Sequence, residues 1–176
     1  MKILMVCLGN ICRSPLAEGI LKSKLPQDSF IVDSAGTSNY HIGELPDERS
    51  IAVASKYGID ITNQRGRQFE VEDFDEFDLI YAMDSSNYKN LIKLARTSDD
   101  IAKVKLILEE IPGSDLKEVP DPYYGGANGF EEVFHLLNKA CENVSQKFIR
   151  AKNIAHKAHI NNCYALALGK NNSYKK

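Results

Sequence analysis

The run Lys2-Ile3-Leu4-Met5-Val6 is apolar and β-prone, and it breaks into Cys7-Leu8-Gly9-Asn10-Ile11-Cys12-Arg13-Ser14-Pro15 before a helix-like segment from Leu16 to Leu25. Cys7 therefore falls where a buried strand becomes a helix, and the rest of the chain has to be arranged around that junction. Such a junction is a phosphate-binding position. The loop Leu8, Gly9, Asn10, Ile11, Cys12 aims backbone N–H groups at one spot, and the helix that follows adds roughly half a positive charge there. The same field favours thiolate over thiol at Cys7, which makes its sulfur a nucleophile. Arg13 closes the loop with a planar fork that grips two phosphate oxygens and stays charged throughout. Gly9 permits close backbone approach, and Asn10 tolerates the left-handed region that a tight anion cradle demands. Ser14 is placed to donate its hydroxyl to the thiolate, and Pro15 suits the first turn of a helix. The plainer alternative is a cysteine that ends a strand as a small apolar residue. Gly, Asn, Arg, Ser and Pro each in a meaningful slot favour the catalytic reading.

Further along, Pro26-Gln27-Asp28 punctuates the chain and Phe30-Ile31-Val32 reads as a second short strand, ending in the loop Asp33-Ser34-Ala35-Gly36-Thr37. In a parallel sheet the strand C-terminal ends share one edge, where ligands bind, so Ser34 is either a brace for the phosphate loop or an ordinary turn serine. Residues 38–46 read as a loop whose Tyr40 forms a cleft wall or packs locally. Asp47 is an N-cap for a helix through Tyr57, stopped by Gly58. Residues 59–69 are irregular, and the acidic run from Glu70 to Asp78 reads as a solvated face. Leu79 to Met83 is a third strand. Asp84, at the same edge, is a candidate to orient the Arg13 guanidinium, with N-capping as its competing role. Val104 to Leu108 gives a fourth strand. Strands alternating with helices indicate an α/β fold, a doubly wound four-stranded parallel sheet with helices on both faces.

The loop Val119-Pro120-Asp121-Pro122-Tyr123-Tyr124-Gly125-Gly126 holds a carboxyl between two prolines, so Asp121 sits on a stiff arm. A carboxyl so placed protonates a leaving oxygen and later deprotonates a water, although Asp between prolines is also a common turn. Tyr123 and Tyr124 beside it are placed to flank an aromatic group. From Gly129 to about Lys152 apolar residues recur at helical spacing, giving a last long helix.

Four motifs, V-C-L-G-N-I-C-R-S-P, D-S-A-G-T, A-M-D-S-S-N and D-P-Y-Y-G-G, occur in order between residue 2 and about residue 150. In these the sequence resembles the low-molecular-weight protein tyrosine phosphatases. The resemblance implies a four-stranded parallel sheet, no metal and no cofactor, with Cys7 as nucleophile, Arg13 as phosphate clamp and Asp121 as general acid. It implies further that Asn10, Ser14 and Ser34 shape the loop and that Tyr40 and Tyr123 line the cleft of a phosphotyrosine-containing protein substrate. One departure stands out: Gln64 aligns where several relatives carry a histidine in the bracing network.

The chain of 176 residues suits one domain, expected over residues 1–152 and followed by a basic tail over residues 153–176. The net charge of −2 is uneven, because residues 151–176 hold five lysines and no acid, which leaves −7 on residues 1–150. An acidic body argues against nucleic acid as a partner. The four cysteines make no C-x2-C pair and the four histidines are scattered, so no metal site is legible. Ile3 to Leu8 is too short to span a membrane and fails as a signal peptide, so the expectation is a monomer in a reducing cytoplasm. Among rivals, arsenate reductases with a disulfide relay need cysteines after the third strand, and residues 84–103 contain none. A non-enzymatic phosphotyrosine-binding module is expected to lack the nucleophile or the acid, and both are present. Proteins that resemble arginine phosphatases tend to carry threonine at the position of Ile11.

Overall fold

The computed structural model describes residues 1–125 and 128–171, apart from the side chains of Tyr124 and residues 155–171. The chain runs through β1 (Lys2–Cys7), α1 (Arg13–Lys24), β2 (Ile31–Gly36), α2 (Glu48–Lys56), α3 (Asp73–Glu76), β3 (Leu79–Ala82), α4 (Ser85–Leu94), α5 (Ser98–Lys103), β4 (Val104–Leu106) and α6 (Gly129–Asn171). Short 3-10 turns at Ile107–Glu110 and Pro122–Tyr124 complete the list. The strands form one parallel sheet in the order β2-β1-β3-β4. From β1 the chain moves to β2 on one side and later to β3 on the other, so the C-terminal end of β1 lies at a topological switch point. Cys7 is the last residue of that strand.

Strand side chains alternate between faces, and both faces are covered. Ile3 and Met5 of β1 pack with Leu16, Ile20 and Leu21 of α1 and with Val133, Leu137 and Val144 of α6. Leu4 and Val6 point the other way, onto Phe69, Phe74, Phe77 and the Leu91 of α4. Full burial of each such side chain stabilises by about 1.5–3 kcal/mol, so the central strand is anchored from both sides. No helix among the described residues is long and apolar enough to cross a membrane.

Several boundaries differ from the sequence expectation. Asp33 to Gly36 continue β2 rather than forming a loop, with Met5 opposite Ser34 and Cys7 opposite Gly36. The small residues that suggested a turn are there for close approach: a Cβ on Gly36 would stand 2.8 Å from the carbonyl oxygen of Leu8. The fourth strand ends at Leu106, because Ile107 and Leu108 turn into a 3-10 helix and bury there. The acidic run is only partly solvated, since Asp73 is buried and paired with Arg67 at 3.0 Å. Helix α5, capped by the Thr97 hydroxyl, has no counterpart in the sequence reading. Helix α6 passes Lys152 without a break and continues to Asn171. Gly126 and Tyr124's side chain lie outside the described residues.

Candidate active site

The loop after β1 is built on one left-handed residue. Asn10 has φ 56°, and its backbone N–H reaches Cys7 Sγ at 3.3 Å. Ser14 Oγ approaches the same sulfur at 3.0 Å. The Arg67 backbone N–H donates to Asn10 Oδ1 at 2.9 Å, which orients the amide so that Nδ2 donates to Ser14 Oγ at 2.9 Å and to Ser34 Oγ at 2.8 Å. Ser34 gives its own proton to Glu18 Oε2 at 2.5 Å. Ser14, already an acceptor from Asn10, faces two acceptors for its hydroxyl proton, the sulfur at 3.0 Å and the Ala35 carbonyl farther off at 3.4 Å. Cys7 thus has two donors aimed at it.

Glu18 lies in the first helix among Leu16, Ala17, Ile20 and Leu21 and is only 3% exposed. Burial raises its pKa above the ordinary carboxylate value, while hydrogen bonds from Lys22 and Ser34 pull it back down. Sequence reading passed over this residue, although a carboxyl inside an apolar stretch is itself a signal. It also passed over Arg67, whose backbone orients Asn10.

Arg13 opens α1, and its guanidinium is buried in the floor. Nη1 donates to Asp84 Oδ2 at 2.7 Å and to the Val119 carbonyl at 3.0 Å. Asp84 uses its other oxygen to cap α4, accepting from the Asn87 N–H at 2.7 Å. The two roles weighed for Asp84 coexist, one per oxygen. With Nη1 committed, Nε and Nη2 remain for two oxygens of a phosphate. Nη2 lies 3.9 Å from Asp121 Oδ2, which brings the carboxyl arm over the loop. The arm is fixed at both ends: Val119 N–H donates to the Met83 carbonyl at 2.8 Å, and Asp121 Oδ1 accepts from Tyr123 N–H at 3.0 Å.

The resulting cleft measures about 330 Å3 and is lined by Cys7, Leu8, Gly9, Ile11, Cys12 and Arg13 below and by Tyr40, His41, Asp121 and Tyr123 around it. Tyr40 is 74% exposed and Tyr123 58%, so both rings stand at the mouth. His41 was not foreseen. Its ring edge covers Gly9, where a Cβ would come within 2.9 Å of it, so the glycine keeps the loop and the wall in contact. Cys12 is the residue before α1, and burial, with a smaller contribution from Asp47, pushes its thiol up to about 12. Asp47 caps α2 through Arg49 N–H, and its own N–H donates to the Ile11 carbonyl at 2.8 Å. The hydrogen bond from the Arg49 side chain foremost holds the Asp47 carboxyl below its usual range. The Arg49 guanidinium then lies over Tyr123 at 5.1 Å and Phe130 at 4.4 Å. Of the residues singled out from sequence, the cleft or its hydrogen-bonded support therefore gathers Cys7, Leu8, Gly9, Asn10, Ile11, Cys12, Arg13, Ser14, Ser34, Tyr40, Asp84, Asp121 and Tyr123. Gln64 donates to the Pro15 carbonyl at 3.3 Å instead of joining the network at Glu18.

Fold and site together define a class: parallel α/β proteins whose first strand ends in a phosphate loop centred on cysteine and closed by arginine. The family model described as low molecular weight phosphotyrosine protein phosphatase matches residues 2–156, and the chain belongs to that family. A Synechocystis protein described as a low molecular weight protein-tyrosine-phosphatase is 48% identical over 148 residues, which is 82% of this chain and 94% of its own. Among solved structures, a protein tyrosine phosphatase from Entamoeba histolytica matches with a TM-score of 0.80 and 39% identity, covering 86% of this chain and 99% of that one. The Drosophila arginine phosphatase matches with a TM-score of 0.77 and 34% identity, covering 84% and 98%.

Proposed function

We propose that this chain hydrolyses phosphotyrosine in protein substrates through a phosphocysteine on Cys7. The observation that carries the reading is the convergence of Cys7 Sγ with its two donors, the Arg13 fork and the Asp121 carboxyl on one cleft floor. The thiolate attacks phosphorus, the P–O bond to the tyrosine ring breaks, and protonated Asp121 gives its proton to the departing phenolate oxygen. The oxygens of the transferring group lie against loop N–H groups and Arg13 Nε and Nη2, which hold the developing charge. Water then attacks phosphorus, Asp121 takes its proton, the S–P bond breaks, and the thiolate and inorganic phosphate are released. A cleft walled by Tyr40 and Tyr123 at its mouth suits the long aromatic ester and leaves phosphoserine too short to reach the sulfur. A nucleophilic thiol needs a reducing compartment, so we place the enzyme in the cytoplasm, as a monomer. Release of phosphate from p-nitrophenyl phosphate, blocked by vanadate and abolished in Cys7→Ser, tests the activity; a Cys7→Ser variant that still turns over would refute it.

Phosphoarginine is the second reading, favoured by the likeness to the Drosophila arginine phosphatase. Ile11 weighs against it. This side chain lines the cleft with apolar surface, which packs on a ring and leaves guanidinium N–H groups without acceptors. The expected outcome is a kcat/KM for phosphotyrosine peptides well above that for phosphoarginine peptides, with Ile11→Thr narrowing the gap. A wild-type preference for phosphoarginine would reverse the assignment.

A further inference from the structure

Resting on the proposed phosphocysteine chemistry, we infer that Lys22, on the face of α1 turned away from the cleft, is a positioning residue for the nucleophile, acting through Glu18, Ser34 and Asn10. The geometry is a chain of contacts. Lys22 Nζ donates to Glu18 Oε1 at 2.6 Å, Ser34 Oγ donates to Glu18 Oε2 at 2.5 Å, and Asn10 Nδ2 donates to Ser34 Oγ at 2.8 Å. The next links are Asn10 Nδ2 to Ser14 Oγ at 2.9 Å and Ser14 Oγ to Cys7 Sγ at 3.0 Å. Ionised Glu18 holds the Ser34 hydrogen, which leaves the Ser34 oxygen to accept from Asn10 Nδ2, and the amide so anchored holds Ser14 Oγ beside the sulfur. An ionised carboxyl buried beneath the loop needs a compensating cation. Without one it either takes a proton, and no longer draws the Ser34 hydrogen, or it stays charged and repels the thiolate.

The groups that face Glu18 identify Lys22 as that cation. From β2 come Ser34 and the carboxyl of Asp33, which raises the Glu18 pKa. Asp33 is held in turn by Arg67 at 3.0 Å, and Arg67 is shared with Asp73 at 3.0 Å. From the loop after α2, Gln64 is neutral and bonded to Pro15, with its Oε1 buried and unpartnered. Lys22 stands one helical turn beyond Glu18, in the favoured order of acid before base, and is the cation that pairs with Glu18 among the described residues. It lines a separate cavity of about 270 Å3 with Gly19, Ser23 and Gln64, outside the cleft. A change at Lys22 therefore reaches the sulfur without touching substrate.

The sign follows from the direction of each cause. Lys22 lowers the Glu18 pKa, so its removal raises the pH at which Glu18 takes up a proton, and the acid limb of the rate profile moves to higher pH. The test compares Lys22→Met, Lys22→Gln and Lys22→Arg with the wild-type chain, measuring kcat and KM for p-nitrophenyl phosphate from acid to neutral pH, and the rate of Cys7 alkylation by iodoacetate. Loss of one charge-assisted link corresponds to a fall in kcat of about tenfold. The expected result is that fall in the two neutral variants, with KM held, the acid limb displaced upward, alkylation slowed in parallel, and all three changes reversed in Lys22→Arg. Neutral variants with wild-type profiles and alkylation rates would overturn the inference, as would a Lys22→Arg variant as slow as Lys22→Met. A wild-type chain that alkylates at Cys7 but releases no phosphate would refute the phosphatase reading alone, and the alkylation series would still decide the role of Lys22.

Discussion

Asp84 gives the sharpest energetic test of how Arg13 is held. Its Oδ2 lies 2.7 Å from a guanidinium whose side chain is 5% exposed, while its Oδ1 caps α4 through Asn87 N–H at 2.7 Å. Asp84→Ala removes both interactions. Breaking a buried pair from one side costs about 3 kcal/mol, because the remaining charge is left in the interior, and losing the cap adds about 1 kcal/mol. The sum corresponds to a fall in Tm of roughly 10 °C for a chain of this size. Asp84→Asn separates the two contributions. Asparagine keeps one carbonyl oxygen to cap α4 but turns its NH2, a donor, toward Arg13, so the cap survives while the charge and the acceptor are lost, and the cost is about 3 kcal/mol. Urea denaturation with and without vanadate reads both effects. An oxyanion in the cleft supplies the negative charge that Arg13 has lost, so vanadate should stabilise Asp84→Asn by more than it stabilises the wild-type chain. Equal stabilities for Asp84→Ala and Asp84→Asn would refute the division of labour between the two oxygens. A cost below about 1 kcal/mol in either variant would refute the buried-pair argument.

Three other outcomes follow from the site. Asp121→Ala should slow aryl phosphates with poor leaving groups by roughly 10²–10⁴-fold and those with good ones far less, measured as kcat across substituted phenyl phosphates; a uniform loss would count against Asp121 as the acid. Mild peroxide should join Cys7 to Cys12, mapped by peptide mass spectrometry. Because burial pushes the Cys12 thiol up to about 12, its thiolate fraction and hence closure of the disulfide should increase as pH rises. Sulfinic acid on Cys7 with no disulfide at any pH would remove that prediction. Truncation after Lys152 should leave kcat/KM unchanged, since the residues of the cleft all precede it; loss of turnover in a folded truncation would place part of the site in the tail.

Much of the site was legible because its chemistry is local. Cys7 to Ser14 form one turn, and the demands on Gly9, Asn10 and Arg13 can be stated without knowing what lies across from them. Asp84 is legible as a carboxyl at a strand end on the ligand-binding edge, and Asp121 as a carboxyl held on a stiff arm between two prolines. The sequence did not reveal what depends on contacts between distant segments. Ser34, Ala35 and Gly36 read as a turn because small residues favour turns, yet their purpose is to let β2 lie against the phosphate loop. Asp73 reads as one of many surface acids and is buried by its pairing with Arg67, which no spacing rule reveals. Glu18 and Lys22 occupy a helix whose apolar neighbours dominated its reading, and their roles appear only when Ser34 is brought up from β2. The end of β4 was missed for a similar reason: Ile107 is as β-prone as Val104 and Leu108 extends the apolar run, yet both turn into a 3-10 helix and bury there.

The central claim is that phosphate passes through Cys7. Rapid acid quench of the chain during turnover of p-nitrophenyl phosphate, followed by peptide mass spectrometry, tests it most directly. The account predicts one phosphate on the peptide that carries Cys7, accumulating within the first turnover, depleted once substrate is consumed and absent in Cys7→Ser. Turnover with no phosphorylated Cys7 peptide, or phosphate found on another residue that disappears with the same kinetics, would contradict it.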